Sequence, residues 1–443
     1  MKNLLIIGAG RSATVLIDYI LEQARQHDFF ITVADADVAL AQKKTGDHPH
    51  GRAVWLDASK PNDRRDLISR HDVVVSMLPP QMHLEVAVDC IALGKHLVTA
   101  SYVSKQVYRL GDEARQRALV FMNELGLDPG IDHMSAMQRI NEIRAKGGKI
   151  TAFHSYTGGL VAPESDDNPW HYKFSWNPRN VVLAGQGTAQ FLEDGKLKYI
   201  PYRRLFRQYR LVEIPGMGAW EVYANRDSML YREAYGLADI KTLFRGTIRH
   251  TGFCDAWNAL VRIGLTDATF PIVDSDKLTY HDLMEAFLGI SRHTGSVRDR
   301  MAKLIECDPD GPVMQKLDWL GLFSKRRIKV KDATPALILE QLLLEKWALQ
   351  PEDKDMVIMQ HEFEYELDGR ERKLTSTLVM KGNDGTDTAM SRLVGLPLGI
   401  FVKLLMLGKI STTGVGIPTM PEVYEPVMQE LESLGVRFVE HEE

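Results

Sequence analysis

Near its start the chain carries an apolar run, Leu4-Leu5-Ile6-Ile7, followed at once by Gly8-Ala9-Gly10-Arg11-Ser12-Ala13. No other feature narrows the fold as much. A GxGxxA turn that leaves a buried strand and opens a helix brings backbone against a pyrophosphate. Gly8 permits the tight turn, Gly10 the close approach, and Ala13 the close packing of helix on strand. Arg11 and Ser12 complete the loop. The helix start adds free N–H groups and a partial positive charge for the phosphates.

The strand–helix alternation then repeats along the chain. Apolar runs recur at 30–34, 53–56, 72–76, 96–99 and 119–122, with helical spacing between them, beginning with 13–23. Continuous β-branched runs, rather than alternating ones, indicate a parallel sheet covered on both faces. The expected fold is therefore α/β: a Rossmann-type doubly wound parallel sheet over residues 1–126. After Gly126 the texture changes. Residues 132–146 read as one amphipathic helix, with Met134, Met137, Ile140 and Ile143 on one face and Gly147-Gly148 closing it. Strands rich in aromatic residues follow to about 265, and 278–350 is helical and highly charged. Strands return at 356–380, including an alternating run at 362–367, and 387–407 is helical again. The expectation is a second mixed α/β domain over 127–277, a small helical lobe over 278–350, and a return to the second domain over 351–386.

Composition bounds the function. Lys plus Arg is 54 against 59 Asp plus Glu, a formal net charge of −5, which argues against a dedicated nucleic-acid binder. The basic runs Arg203-Arg204-Arg207-Arg210 and Lys325-Arg326-Arg327 are accordingly expected to be solvated surface or interface. Cys90, Cys254 and Cys307 are far apart and form no CxxC pair, so reduced thiols and no metal site are expected. Met1-Lys2-Asn3 runs straight into the first strand, with no signal peptide expected. The longest apolar run, 393–407, is short of the ~20 residues a membrane span needs. A cytoplasmic protein with no membrane partner is expected.

Asp35 stands at the end of the second strand, where a carboxylate can accept from a ribose 2′-hydroxyl. The same charge would repel a 2′-phosphate, and no Arg occurs over 34–38. This favours NAD, with NADP as the alternative. Asp37 is near enough to compete for the role, and Asp57, ending the third strand, is placed for the adenine side.

Six segments in order carry a family resemblance: Thr99-Ala-Ser-Tyr102, Glu124-Leu-Gly-Leu-Asp-Pro-Gly-Ile-Asp-His133, Ser155-Tyr-Thr-Gly-Gly-Leu160 with Pro163-Glu164, Lys173-Phe-Ser-Trp176, Asn225-Arg-Asp-Ser228 and Arg245-Gly-Thr-Ile-Arg249. Together they resemble the saccharopine dehydrogenase family in its glutamate-forming branch. Gly395-Leu-Pro397 fits too, so the resemblance spans nearly the whole chain. It implies that residues 387–443 pack back on the first domain, that the protein is a homodimer, and that the substrate is saccharopine, a secondary amine with three carboxylates. Hydride would leave the lysine ε-carbon, and hydrolysis of the imine would give glutamate and 2-aminoadipate 6-semialdehyde.

By that resemblance Arg226 and Arg249 are substrate clamps, the type of side chain suited to bidentate carboxylate binding. Thr247 offers a hydroxyl beside Arg249, and Arg245 is either a third cation or a surface or structural charge. Ser101 and Tyr102 touch the substrate just after the fifth strand. Asp128 lies at the active site, holding the substrate ammonium or assisting proton transfer, with Tyr102 as its catalytic partner. Leu78, Thr99, Leu127 and Trp176 complete the cofactor set, Trp176 near the nicotinamide. Asp132 is expected as a helix N-cap and His133 as a structural histidine. The family often has Cys where this chain has Thr157, which cannot form a thiolate. That departure keeps a polyamine oxidoreductase of the carboxynorspermidine or homospermidine type in view. A non-catalytic NAD sensor on the same scaffold is the other alternative.

Overall fold

The computed structural model describes residues 2–288 and 295–443; residues 289–294 of the expected helical lobe lie outside the described residues. The chain divides into two compact units. One comprises Met1–Lys149 with Met380–Val439, the other Ile150–Val379 with Glu440–Glu443.

The first unit is built on six strands in the expected places: β1 (Lys2–Ile7), β2 (Phe29–Asp35), β3 (Gly51–Trp55), β4 (Val73–Ser76), β5 (His96–Val98) and β6 (Val120–Met122). Their spatial order is 6-5-4-1-2-3, with all neighbours parallel, the doubly wound order. Leu4, Leu5, Ile6, Val73, Val74 and Val75 are almost fully buried, as continuous apolar strands covered on both faces must be. A seventh strand, Gly414–Gly416, comes from the far end of the chain and pairs parallel with β6.

The C-terminal segment of this unit begins at Met380. Its helix Ala389–Met406 lies against helix α1 (Thr14–His27). A Cβ on Gly395 would come within 2.6 Å of the Leu16 amide nitrogen, and one on Gly399 within 2.7 Å of the Tyr19 ring. Glycine at both sites lets the helices approach this closely. Lys403 pairs with Glu430, and Glu430 also accepts from the Tyr19 hydroxyl at 2.5 Å. The helix is long and apolar enough to cross a membrane, yet 83% of it is buried inside the fold.

The boundary between the units falls after Lys149 rather than at 126, because helix Ile131–Ala145 packs on helix Pro421–Ser433, both in the first unit. That helix is less one-sided than its spacing predicts: Asp132, His133 and Ser135 are as buried as Met134.

The second unit has a nine-stranded mixed sheet. Strands Arg210–Ile214, Gly218–Ala224 and Thr242–Arg249 are antiparallel neighbours, and the last is parallel to Lys149–Val161. Residues 253–263, expected among strands, form a helix instead, since Phe253, Ala256, Trp257 and Leu260 fall on one buried face at helical spacing. Among the described residues, the segment 278–350 has no core of its own. Met314, Leu317, Leu320 and Leu342 share one core with Trp170, Phe253, Trp257 and Trp347. Trp257 stacks on Phe253, with ring centroids 5.5 Å apart and planes 10° off parallel. Arg210 is not solvated as its basic run predicts: its guanidinium lies 4.1 Å over the Phe244 ring and pairs with Glu193.

Candidate active site

In the first unit the glycine turn is built as the motif requires. Gly8 adopts φ 106°, and its N–H donates to the Ala34 carbonyl at 2.8 Å, tying the turn to β2. A Cβ on Gly10 would meet nothing within 4 Å, so this side of the loop is open to a ligand. One tight turn over Arg11–Ala13 leads into α1.

Asp35 is fixed rather than merely placed. The Ala9 N–H donates to its Oδ2 at 2.6 Å and the Asp37 N–H to its Oδ1 at 2.8 Å. The carboxylate thus links the end of β2 to the glycine turn and remains half-buried. Asp37 Oδ1 caps helix Val38–Thr45 by accepting from the Leu40 N–H. Asp57 Oδ1 accepts from the Ser59 N–H at 3.1 Å and the Ser59 hydroxyl at 2.6 Å.

The sequence reading missed Lys44. Its Nζ donates to the Gly10 carbonyl at 2.5 Å and to the Thr14 hydroxyl at 2.9 Å, placing a cation beside the open turn. Burial pushes this amine down to about 8, against the pull of Asp18 and Asp35. No local motif could have announced it, since 34 residues separate Lys44 from Gly10.

At the carboxyl ends of β5 and β6 two loops run side by side. The Leu125 N–H donates to the Thr99 carbonyl and the Glu124 N–H to the Ser101 carbonyl. The second loop closes on itself: the Gly126 N–H donates to the Pro129 carbonyl, and the Ile131 N–H returns to the Gly126 carbonyl. Gly130 sits at φ 147°, where an added Cβ would lie 2.0 Å from the Gly126 oxygen, so only glycine fits. This closed loop presents Asp128, half-buried, whose Oδ1 accepts from the Tyr102 hydroxyl at 3.0 Å. Leu127 is buried beneath, Leu78 is half-buried after β4, and the Thr99 hydroxyl accepts from the Ser101 N–H.

Asp132 is not the N-cap. The helix starts one residue earlier, at Ile131, with Gly130 as the cap residue, and the Asp132 carboxylate reaches back to accept from the Gly130 N–H at 2.6 Å. His133 is fully buried, and its Nε2 lies 2.8 Å from Glu124 Oε2. The other Glu124 oxygen accepts from the Val103 N–H, so Glu124 ties the Tyr102 loop to the Asp128 loop.

In the second unit Arg249 ends strand Thr242–Arg249 and is 2% exposed. Its guanidinium is walled by Tyr172, Tyr223 and Phe253, whose ring centroids lie 5.2, 5.7 and 5.4 Å away. Nη1 donates to the Ile248 carbonyl, while Nε has no hydrogen-bond partner among the described residues. Glu221 is opposite Arg249 in the strand register, but it is used up by the amides of Gly252 and Cys254. Among the described residues no carboxylate forms an ion pair with Arg249. Burial pushes the Tyr172 and Tyr223 phenols upward, so the wall is neutral.

Thr247 sits two residues before Arg249, hydrogen-bonded to Tyr223, and pairs in register with Thr157 on the neighbouring strand. Among the described residues the buried Thr157 hydroxyl has no partner, and neither has that of Ser175. Trp176 donates to the Tyr172 hydroxyl at 3.2 Å. Arg226 is exposed on a backbone in the left-handed region, φ 49°. Arg245 is not a surface charge: it is 3% exposed and stacked 4.2 Å over Tyr231.

Comparison with known proteins agrees with this layout. Residues 4–122 match the family model of the saccharopine dehydrogenase NADP binding domain, and residues 126–436 that of the saccharopine dehydrogenase C-terminal domain. The chain is 33% identical to a saccharopine dehydrogenase [NADP(+), L-glutamate-forming] of Schizosaccharomyces pombe, over 99% of both chains. It is also 33% identical to the alpha-aminoadipic semialdehyde synthase of Arabidopsis thaliana, but spans only 45% of that protein. The solved apo saccharopine dehydrogenase (L-Glu forming) of Saccharomyces cerevisiae superposes over 100% of both chains, with a TM-score of 0.88 and 32% identity. With the nucleotide-binding turn in the first unit, the mixed sheet in the second, and both matched end to end, the chain belongs to the saccharopine dehydrogenase family.

Proposed function

We propose that this protein cleaves L-saccharopine oxidatively to L-glutamate and 2-aminoadipate 6-semialdehyde, a reaction of lysine metabolism, using NAD in preference to NADP. The observation that carries the reading is Arg249: a buried guanidinium walled by aromatic rings, with an idle Nε–H and no carboxylate of the described protein paired to it. A buried cation left this way is costly unless a ligand supplies the anion. Saccharopine brings three carboxylates. The partnerless Thr157 hydroxyl, in register with Thr247, adds polar capacity that a polar ligand would satisfy.

The residues suit a nicotinamide dinucleotide: the open side of Gly10 admits a pyrophosphate, and Asp35 is fixed as a ribose acceptor. When bound, that group accepts the hydride from the lysine ε-carbon of the substrate. The protein's own part is to bind and to move protons. Arg226, Arg249 and Thr247 bind carboxylates. Asp128, oriented by Tyr102, accepts a hydrogen bond from the secondary ammonium; once that nitrogen has released one proton to solvent, its lone pair forms the carbon–nitrogen double bond as hydride departs, and the carboxylate stabilises the iminium charge that results. Water then adds to that carbon, and the carbon–nitrogen bond breaks to release the aldehyde and glutamate. Asp35 supports NAD, whereas the fungal relatives are named for NADP. A homodimer in the cytoplasm, expected from the resemblance and the composition, belongs to the same proposal.

The test is the growth of NADH absorbance with saccharopine and NAD, and separately NADP, at mildly alkaline pH. Turnover that is faster with NAD supports the whole reading. Turnover faster with NADP overturns the cofactor assignment alone, and none with either overturns the reaction.

A further inference from the structure

Next to Ser101 lies a group that no part of the proposed chemistry uses. His83, the first residue of helix His83–Leu93, is 6% exposed and bridges two serines. Its Nδ1 is 2.9 Å from the Ser76 hydroxyl at the end of β4, and its Nε2 is 2.8 Å from the Ser101 hydroxyl after β5. The ring is neutral at physiological pH, because burial pushes it down to about 4. A neutral imidazole has one N–H and one bare nitrogen, so the two ends play opposite parts.

Ser76 decides which. It is 1% exposed, and among the described residues His83 Nδ1 is the one acceptor its hydroxyl proton can reach. If Nδ1 carried the hydrogen, the Ser76 proton would be buried without a partner, at a cost of about 1–3 kcal/mol. Ser76 therefore donates to Nδ1, the hydrogen of the ring sits on Nε2, and Nε2–H donates to Ser101. One of the two acceptor positions of the Ser101 oxygen is thereby filled. Its own proton has no acceptor among the described residues and is left to a ligand at the partly exposed end of β5.

We infer that Ser76 and His83 form a positioning relay that turns the Ser101 hydroxyl proton away from the ring, as a hydrogen-bond donor directed at a carboxylate oxygen of the bound substrate. The relay sets the polarity of Ser101 in advance, so that no hydroxyl reorientation accompanies binding. The inference rests on the substrate reading for its ligand, but not for its tautomer.

The experiment therefore has two arms. Protein labelled with 15N in its histidine rings, compared with His83→Gln to assign the signal, reports which His83 nitrogen carries the hydrogen. Nε2–H in the wild type, shifting towards Nδ1–H in Ser76→Ala, is expected; Nδ1–H in the wild type overturns the relay whether or not saccharopine is a substrate. In the kinetic arm, loss of a neutral hydrogen bond is expected to raise the saccharopine KM about five- to tenfold in His83→Phe, with NADH affinity unchanged. His83→Gln, whose amide can still donate near the Nε2 position, should recover most of it. In a Ser101→Ala background the same His83 change should alter KM less than about twofold. Multiplying effects in the double variant would make His83 a general structural residue and overturn the inference. A wild type that turns over no saccharopine would be the failure of the substrate reading, and would be seen before any variant is made.

Discussion

The Tyr102 hydroxyl donates to Asp128 Oδ1 at 3.0 Å, joining the loops that follow β5 and β6. The tyrosine orients the carboxylate, and the closed turn through Gly126 and Gly130 sets its height. Tyr102→Phe should lower kcat/KM about tenfold and Asp128→Asn about a hundredfold, with the double variant no worse than Asp128→Asn, since the tyrosine acts through the aspartate. Steady-state kinetics on the four proteins decide this; a double loss near a thousandfold would mean that the two act independently.

Arg249 offers a separation of stability from function. Because no carboxylate of the described protein pairs with it, Arg249→Met removes a buried charge without stranding another. Its melting temperature should equal or exceed that of the wild type, while kcat/KM for saccharopine falls at least about a hundredfold, the loss expected of a buried charge-assisted contact. Calorimetry and kinetics on one preparation give both numbers. A large drop in melting temperature would show that Arg249 serves the fold.

Asp35 tests the cofactor. Asp35→Ala removes the negative charge and frees the Ala9 and Asp37 amides, with Lys44 close by as a cation. The ratio of kcat/KM for NAD over NADP should fall at least about tenfold, through loss of the ribose contact and gain in phosphate tolerance. An unchanged ratio would take the selectivity away from Asp35.

Acid should unfold the protein through its buried histidines. His83 and His154 are both pushed down to about 4 by burial, from an ordinary 6.5. Between those values the unfolded chain binds protons that the folded chain refuses, so stability rises with pH across the window. It is intact above about 6.5 and is lost as pH falls towards 4. For His83 alone the shift corresponds to roughly 3 kcal/mol. His83→Gln should therefore flatten the fall in melting temperature between pH 6.5 and pH 4; a curve parallel to the wild type would refute the buried-neutral assignment.

The first sheet was legible in the sequence because strands covered on both faces must be apolar throughout. Leu4 to Ile7 and Val73 to Val75 have no polar alternation to confuse them. The aromatic-rich segment 253–263 was not, because Phe and Trp suit a strand as well as a buried helix, and the decision fell to packing against Trp170 and Trp347. The residues that shape the site divide the same way. Gly8, Gly10 and Asp35 have their parts fixed by position along one strand–turn–helix unit. Lys44 and His83 have theirs only through contacts made 34 and 18 residues away, and neither lies in a motif. The cap falls at Gly130, two residues before the expected Asp132, which is enough to turn a cap into a side chain that reaches back.

The Gly395 and Gly399 contacts on helix α1 also carry a consequence for synthesis. The helix that begins at the nucleotide-binding turn is covered by a segment made about 230 residues after the first stretch of its own unit ends. At 5–20 residues per second, that interval lasts roughly 10–50 s on the ribosome. Throughout it, Leu16 and Tyr19 wait uncovered and β6 keeps an open edge where Gly414–Gly416 will later pair. The emerging chain thus presents a bare apolar flank and an unpaired strand at once, the pair of features that chaperones and neighbouring nascent chains capture first.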